Sequence, residues 1–367
     1  MSASDRAGYL FLSLLQARVG RSLTSRLGDR RAAGVLEVPL TELAGEGGTF
    51  EKVARGFEEL RSAFDPNALE DRLAREGIRV ITLADEAYPS RLREVPDPPP
   101  ALFVKGGVPE AVPVALVGSR KATAAGLETA RTLGRTLGER GVCVVSGLAM
   151  GVDAAAHEGA LEAGGTTVGV LGSGIDVVYP RENRGLFESV GRSGAVVSEY
   201  CLGEAPLAWR FPARNRIIAG LCDVVVVVEA PEKSGALITA RHALDAGRDV
   251  WAVPGPPGVR ECRGSNRLLA DGAGVLWDVF EFASAVGPRG AGAKAERVPL
   301  EAPLPVGLPA TEEAVLSGVG FEATGVDAVA RRAGIGMREV LPALALLELK
   351  GFVSRDAVGA YTRRAVP

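Results

Sequence analysis

Short apolar runs alternate with amphipathic segments over residues 112–253, and this alternation is the strongest pattern in the chain. The runs are apolar at nearly every position, which is typical of strands buried on both faces of a parallel sheet. The pattern predicts an α/β fold with a Rossmann-like, doubly wound and mostly parallel sheet. The predicted strands lie in VPVALVG, VCVVS, TTVGVLG, AVVSEY, DVVVVVEA and DVWAVPG, and the predicted helices span 123–140, 151–164, 183–191 and 234–247.

Different patterns flank this central region. Residues 1–85 have apolar positions at helical spacing, such as Tyr9, Leu12 and Leu15, and predict a helical domain of SAM or helix-hairpin-helix type. The hairpin turn would lie at 20–24, although simple helix packing explains that turn better. IRVITL at 78–83 predicts a strand, and the proline-rich residues 88–106 predict a connector. The central domain is therefore placed at 86–283.

The C-terminal part begins with a linker at 284–309, which is rich in Gly, Ala and Pro and has no apolar period. Residues 310–367 then show three short helical patterns and an alternating segment, an order that is winged-helix-like. Its basic residues would suit DNA, but such modules also serve as protein docking or dimerisation pieces. Pro342 inside the would-be recognition helix is an irregularity.

Composition restricts the partners. The chain has 367 residues, 47% hydrophobic side chains and a net charge of -3, so any nucleic-acid site must be a local basic patch. Four widely spaced cysteines, without a CxxC pair, and only two histidines make a metal site improbable. The N-terminus has neither the layout of a signal peptide nor an apolar run of membrane length, so we expect a soluble cytoplasmic protein.

Small residues cluster where the predicted strands end. Glycines let a ligand approach the backbone closely, and helix N-termini present free N–H groups to anions. Four such clusters along one sheet edge, with cations nearby, predict a row of phosphate subsites for an extended anionic ligand. The residues concerned are Gly118, Ser119, Arg120, Ser146, Gly147, Gly172, Ser173, Gly174, Arg181, Arg184, Lys233, Ser234 and Gly235.

The segment RFPARNRIIAG at 210–220 carries three arginines within seven residues. Cations follow the phosphates of single-stranded nucleic acid while aromatic rings stack on its bases, so we expect this segment to be a loop beside the same edge. One alternative is an Arg-rich surface loop with Phe211 in the core. Another is that Asn215, Arg216 and Ile217 begin a helix whose apolar side packs on the sheet. The residues assigned to DNA binding here are Arg210, Phe211, Arg214, Asn215 and Arg216.

No catalytic set is apparent in the sequence. The dinucleotide pattern GxGxxG and the Walker pattern are missing, so neither a cofactor nor ATP hydrolysis is expected. Asp153 and His157, four residues apart, suit a charge relay, but a structural pair is commoner. Glu199 and Glu229 follow strands and suit general acid–base roles. Because no nucleophile is paired with a base, we expect a binding protein.

Taken in order, the motifs GSRKATAAG, SGLAMGVDAAAHEGAL, VGVLGSGIDVVYPREN, FPARNRIIAG and VVVEAPEKSGALITARHAL resemble the bacterial DNA-processing protein A family (DprA, also called Smf). The resemblance covers about 88–278. It implies a single-stranded DNA-binding protein that protects incoming DNA during natural transformation, displaces single-strand-binding protein and loads RecA recombinase, acting as a homodimer. It also implies DNA contacts from Arg120, Arg181, Arg210, Arg214 and Arg216, with Phe211 in a base pocket.

Two other functions are compatible with the sequence. A phosphoribohydrolase of the lysine-decarboxylase-like fold would share a similar sheet, but it would carry PGGxGTxxE, whereas residues 254–261 read PGPPGVRE. A winged-helix transcription regulator with a Rossmann-like sensor would instead prefer one duplex sequence.

Overall fold

The computed structural model describes residues 3–19, 24, 35, 50–287, 308–319, 324–355 and 359–363. Internal contacts divide the chain into two compact units, Met1–Pro288 and Arg289–Pro367, each of which is described by itself.

A nine-stranded sheet forms the centre of the first unit. Its strands are β1 Ile78–Thr82, β2 Ala101–Gly106, β3 Pro113–Val117, β4 Cys143–Ser146, β5 Thr167–Leu171, β6 Ala195–Ser198, β7 Val224–Val227, β8 Asp249–Ala252 and β9 Gly274–Val275. The strand order is β1-β2-β6-β5-β4-β3-β7-β8-β9, with β3 to β9 parallel and β1 and β2 antiparallel beside β6. The chain therefore reverses its direction of growth at the β3–β7 pair, where Val117 lies opposite Val227.

Helices cover both faces of this sheet, which explains why its strands are apolar at almost every position. The helices of the first unit are α1 Ala3–Val19, α2 Phe50–Ala63, α3 Pro66–Arg75, α4 Ser90–Arg93, α5 Ala124–Glu139, α6 Val152–Glu162, α7 Arg184–Ser193, α8 Arg210–Leu221, α9 Gly235–Asp245, α10 Arg263–Ala270 and α11 Val279–Val286. One core contains α5, α6 and α11 against the sheet, and another contains α8 and α9 against its opposite face. The predicted Rossmann-like, doubly wound fold is thus confirmed.

Local sequence explains where the helices begin. The Thr123 side chain accepts a hydrogen bond from the Gly126 N–H at 3.1 Å and caps α5. Ser234 caps α9 in the same way, through the Ala236 N–H. Both caps use hydroxyl oxygens to satisfy donors that have no partner in the first helical turn. They also fix two helix starts beside the β3–β7 pair.

Two predictions of local structure are corrected by the fold. The residues 88–106, expected to be a connector, contain strand β2, which pairs with both β1 and β6. The RFPARNR segment is the start of helix α8, so the expected loop was wrong; the helix of the alternative is present, but it begins at Arg210 and not at Asn215. The residues before 85 belong to the same compact unit as the sheet, and α11 extends past 283 to Val286.

The N-terminal helices pack directly beside this sheet. Leu10 of α1 shares a core with Ile78 and Phe103 of the two antiparallel strands. Other buried side chains of α1, including Phe11 and Leu15, pack against Phe57 of α2. The expected hairpin turn at 20–24 lies outside the described residues except for Thr24.

The second unit has the element order of a winged helix. It contains α12 Ala310–Gly318, α13 Val326–Ala333, α14 Met337–Leu349 and the antiparallel pair β10 Val353–Arg355 and β11 Tyr361–Arg363. Val315, Val329, Leu344 and Tyr361 meet in its core. Pro342 lies inside α14, in its second turn. The N-terminal part of the predicted linker is helical through Val286, and 288–307 lies outside the described residues.

Candidate nucleic-acid interface

A cleft of about 770 Å³ opens at the carboxyl ends of β3 and β7, where the strand order reverses. This position is where open parallel sheets bind their ligands, and the volume is sufficient for a nucleotide-sized group. One wall is the loop after β3, a second is helix α8, and a third is the start of α9. Among the predicted site residues, those that line the cleft are Gly118, Ser119, Arg120, Phe211, Arg214, Asn215, Ser234 and Gly235.

An aromatic and cationic stack lies on one side of the cleft. The guanidinium carbon of Arg120 is 5.1 Å from the centre of the Phe211 ring, and the Tyr179 ring is 5.3 Å from Phe211 at an angle of 41°. Arg120 is exposed, and Tyr179 is 44% exposed. Gly172 makes this arrangement possible, because a Cβ there would lie 2.8 Å from the Phe211 ring. The stack offers a cation for a phosphate and aromatic surface for a base.

Arg214 projects into the cleft from deeper in the fold and is only 3% exposed. Its Nη1 donates to the carbonyl oxygens of Gly147 and Val170. Burial lowers the pKa of Arg214 to about 10, so its guanidinium stays protonated at neutral pH. Asp153 accepts the Gly147 N–H at 3.1 Å, and burial raises the pKa of this carboxyl despite the nearby cation. Arg214 is therefore a rigid cation at the base of the cleft.

Glu229 holds the loop that carries Arg120. Its carboxylate accepts hydrogen bonds from the N–H and the hydroxyl of Thr123, at 2.9 and 2.5 Å, and its carbonyl accepts the Ser119 N–H at 2.7 Å. Glu229 is 4% exposed. These contacts fix both ends of the turn from Ser119 to Thr123, so the Glu229 carboxylate has a positioning role and not the general acid–base role that the sequence suggested.

Arg210 and Arg216 do not lie in the cleft, contrary to the expectation that all three arginines of the segment face the ligand. Arg210 is 2% exposed and pairs with Glu204 at 2.7 Å. Arg216 donates to both carboxylate oxygens of Glu199 at 2.7 Å and to Asp97 at 3.1 Å. The neighbouring carboxylates raise the pKa of Arg216 although burial opposes them. We therefore do not retain these two arginines as direct DNA contacts.

The remaining predicted residues divide into four groups by position. Gly147 lines a smaller pocket that adjoins the stack and is shared with Arg120, Tyr179 and Phe211. Others are internal: Ser146 and Ser173 are buried and donate to the carbonyls of Leu116 and Val177. The exposed cations that do not line the cleft are Arg181, Arg184 and Lys233. Gly172 and Gly174 instead allow close packing against Phe211 and Cys201.

The cleft also contains residues that the sequence did not single out. Lys121 and Arg260 add exposed cations, Glu261 adds an acid, and Tyr179 adds the second ring of the stack. Tyr179 had a signal in the sequence, because it is an aromatic residue directly before Pro180 and Arg181. Arg260 had none, since it reaches the cleft through the loop after β8.

The residues suggested as a relay have separate partners. His157 is fully buried, and its Nδ1 lies 2.6 Å from the hydroxyl of Thr167. Burial lowers the pKa of His157 to about 3, so the imidazole is neutral at physiological pH. The Asp153 carboxylate instead accepts the Gly147 N–H. Both residues are part of the interior behind the cleft.

In the second unit, the outward surface of α14 is largely apolar. Met337, Leu341, Leu346 and Leu349 are 43%, 51%, 45% and 85% exposed. Of the basic residues here, Lys350 pairs with Glu312 at 2.6 Å and Arg355 lies over the Tyr361 ring. Arg331 and Arg332 of α13 and Arg338 of α14 are exposed, so this unit presents cations as well as an apolar helix surface.

Sequence comparisons with known proteins point to one family. A sequence profile described as DNA recombination-mediator protein A matches residues 79–287, and one described as the DprA winged helix domain matches 299–357. Protein Smf of Synechocystis sp. is 33% identical over 99% of this chain and all of its own length. DNA processing protein DprA of Streptococcus pneumoniae is 44% identical over 53% of this chain and 70% of its own length.

Solved structures agree with the sequence relatives. DNA processing protein A of Streptococcus pneumoniae matches with a TM-score of 0.64 and 33% identity, over 78% of this chain and 99% of that chain. The Helicobacter pylori protein of the same name, studied for its single-stranded DNA binding mode, matches with a TM-score of 0.51 and 30% identity, over 57% of this chain and 95% of that chain.

None of the helices in the described ranges is long and apolar enough to cross a bilayer.

Proposed function

Since this chain belongs to the DNA recombination-mediator protein A family, we propose that it binds single-stranded DNA in the cleft beside the β3–β7 pair. The bound strand would place a phosphate against Arg120 and a base against the Phe211 and Tyr179 rings. Arg214 would supply a second, buried positive charge. The single-stranded DNA binding of the Helicobacter pylori relative supports this choice of ligand.

The observation that carries the proposal is the stack of Arg120 on Phe211, with ring and cation 5.1 Å apart at the wall of a nucleotide-sized cleft. A cation alone would suit any anion, and a ring alone would suit any apolar group. Together they match the alternating phosphates and bases of an unpaired strand, whose bases are free to stack. Duplex DNA keeps its bases stacked on one another, so it would gain less from the rings.

We further propose that binding involves no chemical turnover. Glu229 and Glu199 hold Thr123 and Arg216, and His157 is buried beside Thr167. Each of the groups that suited acid–base chemistry in the sequence thus has a structural partner. This assignment disfavours the phosphoribohydrolase alternative.

The proposal also includes protein partners and a second copy of this chain. The family resemblance implies a cytoplasmic role in natural transformation, in which the protein protects incoming strands, displaces single-strand-binding protein and loads RecA recombinase. It also implies a homodimer. Exposed apolar side chains follow one another at the edge strand β9 and the start of α11, and they suit contact with a second copy: Val275, Trp277 and Phe280.

A salt titration tests the proposed site. Binding of fluorescent oligothymidine, followed by anisotropy, should weaken as salt rises, because phosphate contacts release counterions. Arg120→Ala should lower the affinity and reduce the slope of log K against log salt by about 0.7, the contribution of one phosphate contact on a single strand. Arg192→Ala is the matched control, since this exposed arginine on α7 does not line the cleft.

Two results would count against the site. If Arg120→Ala bound oligothymidine as the unaltered chain does at every salt concentration, the strand would lie elsewhere. If duplex DNA competed as well as single-stranded DNA of equal length, the role of the rings would be wrong. Release of free base from nucleoside monophosphates would instead support the hydrolase alternative.

A further inference from the structure

Arg210 joins helix α1 to the start of helix α8. Its Nη2 donates to the Ala17 carbonyl oxygen at 3.0 Å and to the Glu204 carboxylate at 2.7 Å. Its Nη1 donates to the Ala205 carbonyl at 2.8 Å. The guanidinium also lies over the ring of Tyr200, at 4.4 Å from the ring centre. With 2% exposure, this cation is committed to contacts inside the protein.

A second contact joins α1 to the same region of the chain. The hydroxyl of Ser13 donates to the Glu199 carbonyl at 3.1 Å, and both groups are buried. Ser13 and Ala17 lie one turn apart on α1, whereas Glu199 and Arg210 bound the connection between β6 and α8. Helix α1 therefore holds the connection 199–210 at both of its ends.

This connection forms part of the cleft. Pro206 and Ala208 line it, and Phe211 directly follows Arg210. The connection also bonds to the loop after β5, through the Gly174 N–H to the Glu204 carbonyl at 2.7 Å and the Ile175 N–H to the Tyr200 carbonyl at 3.2 Å. That loop leads to Tyr179. If the connection 199–210 moved, the Phe211 and Tyr179 rings would therefore move as well.

We propose that Arg210 is a positioning residue through which helix α1 sets the affinity of the cleft for single-stranded DNA without touching the strand. The proposal rests on the proposed function and deepens it, because it makes the N-terminal helix part of the binding unit. Arginine is required here because its planar fork reaches three acceptors at once. A lysine has a single point charge on a flexible stem and cannot reproduce that geometry.

Two variants separate positioning from direct contact. Arg210→Lys keeps the charge and loses the fork, so a positioning role predicts an affinity for oligothymidine lowered about three- to tenfold, since hydrogen bonds to a charged group contribute strongly. Arg210→Met removes the charge. A direct phosphate contact would then reduce the salt slope by about 0.7, whereas a positioning residue leaves the slope unchanged.

Hydrogen exchange tests the contact between Arg210 and α1 directly, in the absence of DNA. Hydrogen exchange of the amides in α1 should become faster in both Arg210 variants, because the helix loses a tie at Ala17. Ser13→Ala should act in the same direction with a smaller effect, since it removes only the tie to Glu199. Ser62→Ala is its matched control, because that exposed hydroxyl bonds only within α2, to the Glu59 carbonyl.

Several outcomes would overturn the proposal. A reduced salt slope in Arg210→Met would make Arg210 a direct contact. Faster exchange in α1 with unchanged DNA affinity in both variants would show that the tie does not reach the cleft. Absence of salt-dependent binding by the unaltered chain would overturn the proposed function and the DNA role of Arg210 with it. Faster exchange in the variants would then remain as evidence of a purely structural tie.

Discussion

The two sides of helix α8 use arginine in opposite ways. On the side of the cleft, the residues follow the helical repeat as Phe211, Arg214, Asn215 and Ile218. Arg214 bonds to backbone carbonyls, and the Asn215 side chain donates to the Gly235 carbonyl at 3.1 Å, which holds the start of α9. Arg210, at the first position of the helix, and Arg216, on the side away from the cleft, are paired with Glu204 and Glu199.

This difference shows that a basic stretch of sequence does not always form a basic patch on the protein surface. Three arginines within seven residues look like one basic patch, yet two of them are neutralised by carboxylates inside the protein. The charge that remains open in the cleft comes from Arg120, Lys121 and Arg260, on loops after two strands. The helix thus contributes shape and rigidity, while the loops contribute the exposed cations.

The largest effect on stability should come from removing the buried ion pair between Arg216 and Glu199. In Arg216→Met, the Glu199 carboxylate, only 8% exposed, would lose both of its short bonds. We expect the free energy of unfolding to fall by about 3–5 kcal/mol, the usual cost of leaving one charge of a buried pair unpaired. Urea denaturation followed by circular dichroism measures this change.

Arg120→Ala is the control for that loss, because an exposed side chain usually changes stability by no more than about 0.5 kcal/mol. If the two variants unfolded at the same urea concentration, the Arg216 side chain would contribute no more to stability than the exposed Arg120. That result would contradict the buried, paired role given to Arg216.

The location of the cleft was predictable from the sequence to a large extent. Uniformly apolar strands predict a parallel sheet, and parallel strands bring their following loops to one edge. Gly118, Ser119, Arg120, Ser234 and Gly235 accordingly line one cleft. The local signals there are strong, because helix caps such as Thr123 and Ser234 act within three residues.

The roles of the arginines were not predictable in the same way. Which side of α8 faces the cleft depends on acids far away in the sequence: Asp97 and Glu199 reach Arg216 only in the folded chain. Arg260 lines the same cleft although it lies far from Arg120 and from α8 in the sequence. In the second unit, Leu341 and Leu349 of α14 are exposed. The sequence does not show which leucines of this helix face outward, because that depends on how the three helices pack.

A smaller effect should follow from crowding the aromatic stack. Alanine at Gly172 would place a Cβ 2.8 Å from Cδ1 of Phe211, so the ring must move. We expect weaker oligothymidine binding, by up to the roughly 1–3 kcal/mol that one base stacked on an aromatic residue contributes. Anisotropy titration at one salt concentration measures this loss.

Gly185→Ala is the matched control, because a Cβ there meets nothing within 4 Å. In helix α7 this substitution should stabilise the protein by about 0.5–1 kcal/mol and leave DNA binding unchanged. Equal affinity of the Gly172 and Gly185 variants would mean that the position of the Phe211 ring does not matter. The stack would then lose its place in the proposed site.

The smallest effect concerns His157, the neutral group behind Arg214. Burial, with a lesser contribution from the Arg214 charge, lowers the pKa of His157 to about 3, whereas an unfolded chain has a value of about 6.5. Between these values the unfolded chain binds the additional proton, so stability falls as the pH falls. From pH 7 to pH 5.5 the loss assigned to His157 should be about 1 kcal/mol.

The variant His157→Asn isolates this contribution, since asparagine keeps a polar side chain near Thr167 but does not titrate in this range. Urea denaturation of both proteins at the two pH values should show a smaller pH dependence in the variant. His242→Gln serves as the control: His242 is only half-buried, so its lowered pKa should contribute less. An unchanged pH dependence in His157→Asn would mean that the imidazole has nearly the same pKa in the folded and unfolded chains, so burial would not keep it neutral.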